Sequence, residues 1–302
     1  MSLVLTYSIT KSEDGLSVLN FLKKQEISKK AIVATKHRGG DILVNGEHVT
    51  VRYLLKEGDV LVVLFPEEVR SEGLTPYECL IEVVYEDDYL LVLNKPAGMP
   101  TIPSIRHPHQ TLANAIVHYY DIIGLSSTLH FVNRLDRDTS GLLVVAKYRH
   151  IHHLLTKDMK QIKRKYYTLV KGILSPTQGT INAPIAREVE GNVKRCVRED
   201  GDRSITHYRV LETWDNHMTL VECELETGRT HQIRVHLMHL GYPLVGDTLY
   251  DSKALTLEKG HLLHSYQLSF IHPITKVQHT FETPLPKRFS VLKKVKENTS
   301  LE

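Results

Sequence analysis

Apolar residues first recur at helical spacing at Leu16, Leu19 and Leu22, with Asp14 or Ser12 placed to cap that helix. A second helix, capped by Ser28, is expected through Ala31, Ile32 and Ala34 and should stop at Gly39-Gly40. The period then shortens. In the stretch from Asp41 to Val49, apolar residues flank Asn45-Gly46, a strong signal for a tight hairpin. Lys56-Glu57-Gly58-Asp59 reads as a further turn, and Val60 to Phe65 as the strand that closes a small unit. From Pro66 to Glu78 the residues turn to Pro, Glu, Ser, Gly and Thr, which marks a linker.

A longer region follows. Tyr77 to Pro96 predicts two strands joined at Asp87-Asp88, then a Pro/Gly-rich loop from Leu93 to Ser104 and a helix over Thr111 to Tyr120. Gly141 to Lys147 predicts a buried strand and Arg149 to Gln161 a helix. Lys165 to Gly172, Ile205 to Trp214 and Met218 to Gly228 read as strands, and Thr230 to Leu240 as a helix ending at Gly241. Strands outnumber helices and do not alternate with them strictly, so the fold class expected is α+β. The organisation expected is a unit over 1–68, a linker over 69–79 and a main domain over 80–302.

Composition narrows the class. The chain has 302 residues, of which 41% are hydrophobic and 24% charged, as in ordinary globular proteins. Its apolar runs are strand-sized, so no membrane span is expected, and the start lacks the pattern of a secretory signal. Cys79, Cys196 and Cys223 are odd in number and far apart, which argues against a disulfide framework or a cysteine zinc site and for a reducing, cytoplasmic setting. The net charge is only +3, but it is unevenly placed. Phe21 to Arg38 holds six basic residues and one acid, and Lys147 to Lys171 holds eight and one. Such patches suit a polyanion, although either one alone fits a solvated surface equally well.

The densest chemistry lies between His130 and Lys147. Asp136 and Asp138 sit between and beside Arg134 and Arg137, in a loop that leads into an apolar strand. A carboxylate beside arginines stays ionised, the state that a nucleophile or base needs. An isolated Arg-Leu-Asp-Arg-Asp turn is more often a surface ion-pair network than a catalytic loop.

Two further stretches change that weighing: Lys163 to Gly172, and Leu225 to Asp247. Asn133-Arg134-Leu135-Asp136 with Thr139-Ser140-Gly141, Lys163-Arg164-Lys165-Tyr166, and Thr227 to His236 followed by Gly241 to Asp247 together resemble the motifs of the RluA-type pseudouridine synthases. The resemblance covers about Leu80 to Pro286. The Val44-Asn45-Gly46 hairpin and the later Gly58-Asp59 resemble the small S4-type RNA-binding domain. These resemblances imply an S4-like domain followed by a catalytic domain built on a mixed, mainly antiparallel sheet. They also imply isomerisation of uridine to pseudouridine in RNA, with ribosomal RNA as substrate or, as the other candidate, transfer RNA. The sequence holds no metal-ligand cluster and no glycine-rich phosphate loop, so no metal or organic cofactor is expected, and a monomer is expected.

Carried over residue by residue, Asp136 matches the catalytic carboxylate, Tyr166 the tyrosine that packs on the target base, and Arg234 the basic residue that pairs with the carboxylate. Ile233 matches the apolar residue beside it, and Arg134 an arginine that helps to open the RNA. Arg229 and His231 lie on the same motif, with helix capping and packing as the alternative role. Lys29, Lys30, Lys36 and Arg38 form the basic face that the S4 resemblance places on RNA. Asn133 stands where the family has His, which puts loop geometry or RNA contacts in question but not chemistry. Thr168 in place of Ala reads as a packing change. An aspartic protease is a poor rival, because a second carboxylate motif is lacking. A metal enzyme built on His231, His236 and His239, or on His107 and His109, is disfavoured because His231 and His236 do not share a helix face. A non-enzymatic RNA-binding protein on the same fold is the main alternative, set against the presence of Asp136, Tyr166 and Arg234 together.

Overall fold

The computed structural model describes residues 2–294. The last residues of the expected main domain, 295–302, and residue 1 lie outside the described residues. In chain order the elements are β1 (Val4–Ser8), α1 (Val18–Lys24), α2 (Lys29–His37), β2 (Asp41–Val44), β3 (Glu47–His48) and β4 (Val60–Leu64). Next come β5 (Glu82–Glu86), β6 (Leu90–Lys95), α3 (Leu112–Ile122), β7 (His130–Phe131), β8 (Ser140–Ala146), α4 (Arg149–Thr156) and β9 (Lys163–Lys171). The remainder are β10 (Gln178–Asn182), β11 (Ile185–Arg187), β12 (Arg195–Val197), β13 (Ile205–Trp214), β14 (Met218–Leu225), α5 (Gln232–His239), β15 (Leu263–Ile271), β16 (Gln278–Glu282) and α6 (Lys287–Ser290).

The N-terminal unit is an antiparallel sheet in the order β1-β4-β2-β3, covered by α1 and α2. Ser28 caps α2 as expected, its hydroxyl accepting from the Ala31 amide. Asn45 and Gly46 both take left-handed backbone, as a two-residue hairpin turn requires. The first helix departs from expectation. It begins after Ser17, whose side chain accepts from the Asn20 amide, so it buries Val18, Phe21 and Leu22 in place of the Leu16-Leu19-Leu22 stripe. Thr10 and Glu13 close a separate short turn upstream, and Asp14 instead accepts from the Glu57 amide, so neither Ser12 nor Asp14 caps α1.

The expected linker has no regular structure, but it is held in place. Glu68 accepts from the Arg149 amide at 2.6 Å and pairs with His130 at 2.6 Å. The Asn114 side chain donates to the Thr75 carbonyl at 2.7 Å. Phe65 stacks on His150, and Glu26 pairs with Lys157, so the N-terminal unit packs against α4.

The main region is α+β, as expected, around a sheet in the order β10-β13-β14-β9-β15-β8-β6-β5. Every pairing in it is antiparallel except β15 with β8. At that parallel junction Gly141 and Ser265 meet closely. A Cβ on Gly141 would sit 2.2 Å from the Ser265 carbonyl oxygen, and the residue has φ +110°, so only glycine fits. β8 is buried along its whole length, which is why it is a continuous apolar run.

The interior carries several histidines. Burial pushes His150, His261 and His264 down to about 4. Unfolded histidine titrates near 6.5, so between about pH 6.5 and 4 the unfolded chain binds more protons than the folded one, and stability falls as pH drops through that window. Chemical denaturation across this range should show that decline. In His264→Gln the decline should be shallower than in the wild type; an equal slope would show that His264 does not contribute.

Candidate active site

The junction of β8, β15 and β9 sets the geometry of the site. The loop that enters β8 carries Asp136, β9 carries Tyr166, and α5, following β14, carries Arg234. All three line one cleft of about 460 Å³, large enough for a nucleoside with its neighbouring groups.

Several bonds hold the loop rigid. The Thr101 hydroxyl donates to the Leu135 carbonyl at 2.6 Å, and the Gly98 amide to the Arg137 carbonyl at 2.9 Å. The buried Lys95 ammonium donates to the carbonyls of Pro96, Met99 and Arg137. Thr139 shares a 2.9 Å hydrogen bond with His261. Asn133 is buried, and its side-chain carbonyl accepts from the Val144 amide at 2.9 Å, tying the loop to β8. Its place is therefore structural, within loop geometry.

Asp136 keeps 26% of its side chain exposed at the cleft floor, and its Oδ2 accepts from Arg234 Nη1 at 3.0 Å. Arg234 is nearly buried and is gripped from behind by Asp247, with Nε to Oδ2 at 2.7 Å and Nη2 to Oδ1 at 2.8 Å. Asp247 is 1% exposed. The guanidinium also lies 5.0 Å from the centre of the Tyr250 ring. Burial by itself would lower the Arg234 pKa, but the two carboxylates outweigh it and raise it. For Asp136, burial acts to raise the pKa, but the charges of His231, Arg234 and His261 overcome it and hold the carboxyl below its usual range. Burial also lowers His231, which favours its neutral form, whereas the two carboxylates keep Arg234 charged.

His231 stands 3.8 Å from Asp136 and shares a 2.8 Å hydrogen bond with the Tyr250 hydroxyl. It occupies left-handed backbone at φ +60° and makes no side-chain cap, so α5 starts at Gln232, later than the expected Thr230. Tyr166 is buried, and burial raises its pKa while the Arg164 charge pulls the other way. Ile233 is buried at the cleft wall, and Arg134 is exposed at its mouth. Arg229 lines the rim and reaches Asp202 at 3.6 Å. Lys29, Lys30 and Lys36 on α2 and Arg38 at its C-cap are exposed and do not line this cleft. Three of them, Lys29, Lys30 and Arg38, border a separate cavity between α2, Phe65–Val69 and α4.

The two acids of the loop differ. Asp138 forms a bidentate pair with Arg137, at 2.7 and 2.9 Å, and packs against Gly260. Thr168 donates to the Leu262 carbonyl at 2.8 Å, so its hydroxyl adds a buried bond where Ala would leave none. His236 is buried between Thr206 and the Ala183 carbonyl, which makes it a packed residue. Asp247, Thr101, Lys95 and His261 received no role from the sequence. Asp247 lies inside the quoted Gly241–Asp247 motif, so a signal for it was present.

Residues 89–239 match the model of the RNA pseudouridylate synthase family. The uncharacterized RNA pseudouridine synthase YjbO of Bacillus subtilis is 44% identical over 92% of this chain and 98% of its own length. The chain belongs to the RNA pseudouridine synthases. Ribosomal large subunit pseudouridine synthase D of Pseudomonas aeruginosa is 37% identical, over 83% of this chain and 82% of that protein. The structure of human RNA pseudouridylate synthase domain containing 4 superposes with a TM-score of 0.56, covering 70% of this chain and 91% of that one at 24% identity, a likeness of fold. This synthase is thus an isomerase of uridine in RNA, and among the described residues no helix is long and apolar enough to cross a membrane.

The grip of Asp247 on Arg234 makes a first prediction for the site. Asp247→Asn keeps the shape but leaves a buried guanidinium short of charge, and should lower stability by about 3 kcal/mol in chemical denaturation. Unchanged stability would mean that Arg234 does not depend on this pair.

Proposed function

We propose that Asp136 is the catalytic carboxylate of this synthase and that its RNA is ribosomal. The observation that carries the first part is a part-exposed Asp136, hydrogen-bonded to Arg234 at 3.0 Å, on the floor of a cleft that also presents Tyr166. Pseudouridine formation breaks the N-glycosidic bond, turns the base and rejoins it through carbon. The carboxylate can serve by attack on the anomeric carbon of the ribose or by taking the proton from the 2′ carbon; both roles need the charged form. Arg234 keeps the carboxylate charged and aimed through a charge-assisted hydrogen bond. The displaced base stacks on Tyr166, a contact worth roughly 1–3 kcal/mol. A uridine reaches this depth only by leaving its stack, which suits base flipping, and Arg134 at the mouth is placed to fill or brace the opened strand. The relatives named for the ribosomal large subunit support that target, and a cytoplasmic site of action accords with it.

The N-terminal unit is assigned as an S4-like RNA-binding domain, bounded near residue 68. Its support is the two-helix, four-strand arrangement and the exposed Lys29, Lys30 and Lys36 on α2, with Arg38 at its C-cap. These side chains would neutralise phosphates without reading sequence. Replacing all four with Ala should weaken binding to ribosomal RNA and flatten its salt dependence, while the single-turnover rate at saturating enzyme stays near wild type. Unchanged binding would remove this face from the RNA path.

The catalytic assignment is tested by contrasting the two loop acids. Asp136→Asn should lower single-turnover tritium release from 5-tritiated-uridine ribosomal RNA by several orders of magnitude while RNA binding is retained. Asp138→Asn should leave turnover largely intact, since it loses only one ion pair with the exposed Arg137. A dead Asp138→Asn beside an active Asp136→Asn would reverse the assignment.

A further inference from the structure

A buried cation of the cleft, Arg164, has no anionic partner among the described residues. Arg164 stands two residues before Tyr166 on β9, so both side chains leave the same face of the strand, and both line the cleft. Arg164 is only 4% exposed, and its Nε finds no hydrogen-bond partner among the described residues. The carboxylates of the neighbouring loop are already engaged, Asp136 by Arg234 and Asp138 by Arg137. The position is nevertheless built. A Cβ on Gly228 would lie 2.6 Å from Arg164 Nη1, so the guanidinium is laid against bare backbone in the turn before α5. Burying a cation without an anion is costly, and removal from water is offset only when a well-placed partner arrives.

We propose that Arg164 is a substrate-binding residue that takes a backbone phosphate next to the flipped uridine, while the base lies on Tyr166 beside it. This rests on the reading of the cleft as the uridine site. The ligand chemistry follows from charge. A uracil carbonyl is neutral and would leave the guanidinium uncompensated, whereas a phosphodiester supplies both a negative charge and paired oxygens that match the guanidinium fork. A phosphate is also one linkage from the ribose that Asp136 must reach, so the same contact would help to fix the sugar over the carboxylate.

The probe is a synthetic RNA stem–loop carrying the uridine this enzyme modifies, located by mapping pseudouridine in RNA from cells with and without the gene. Binding and single-turnover rate are measured for the wild type, Arg164→Met and Arg164→Lys, with thermal melting to confirm that each variant folds. Arg164→Met should bind on the order of tenfold or more weakly, as expected for a lost hydrogen bond to a charged group. Its log–log salt slope should be smaller by about one, and Arg164→Lys should recover part of the affinity. The phosphates flanking the target uridine are then replaced, one at a time, by neutral methylphosphonates. At one of the two positions the wild type should lose the same factor, and Arg164→Met should lose little more. Wild-type affinity or an unchanged salt slope in a folded Arg164→Met, or equal losses for both proteins at both positions, would overturn the proposal. A wild-type enzyme that makes no pseudouridine in the stem–loop or in the mapped RNA would instead overturn the reading of the cleft.

Discussion

The site depends on one guanidinium shared between two carboxylates. Asp247 holds Arg234 at two points from the buried side, and this leaves Nη1 directed at Asp136 on the open side. A single Arg–Asp pair at a cleft floor could swing out or be exchanged for water. With the rear pair buried, rotation of the guanidinium would break two hydrogen bonds out of reach of solvent, which is costly. The front carboxylate therefore keeps both its charge and its direction. Tyr250, under the same guanidinium and bonded to His231, links the second wall of the cleft to the same anchor.

The sheet brings these parts together from distant points of the chain. The strand order β9-β15-β8 sets Tyr166 and the Asp136 loop on opposite sides of one strand. The close approach of Gly141 to Ser265 fixes how near they come. Lys95 and Thr101, by bonding the carbonyls on either side of Asp136, convert the loop from a flexible connection into part of the scaffold. A carboxylate on such a loop is held by backbone bonds on both flanks, which is the form of preorganisation that orientation-dependent chemistry needs.

Local chemistry made parts of this fold readable from residue types. Asn45-Gly46 tolerates the left-handed backbone of a tight hairpin turn far better than most residue pairs, and the run at β8 is apolar because both faces are buried. The motif order around Asp136, Tyr166 and Arg234 identified which residues would meet, although not how. Other features were hidden for physical reasons. β15 reads Leu263-His264-Ser265-Tyr266-Gln267, with no alternation, because its buried polar groups are satisfied across strands: His264 by Ser140, and Ser265 by the Leu142 carbonyl. β1 lies ahead of the first helical pattern and gains its meaning only by pairing with β4, far along the chain. α5 begins at Gln232 and not at Thr230 because His231 takes a left-handed conformation that a non-glycine residue rarely adopts. The anchor itself, Asp247, is an acid in a turn until the fold places it behind Arg234.

The most direct test of this arrangement is the titration of the Asp136 carboxyl, followed by carbon NMR in protein labelled at aspartate carboxyls, with Asp136→Asn used to assign its signal. With Arg234 fixed in front of it, the Asp136 signal should stay that of an ionised carboxylate from pH 7 down to the acid limit of the folded state, with no midpoint at or above the ordinary value of about 3.9. A midpoint above that value would contradict a carboxylate held charged by the Asp247–Arg234 anchor.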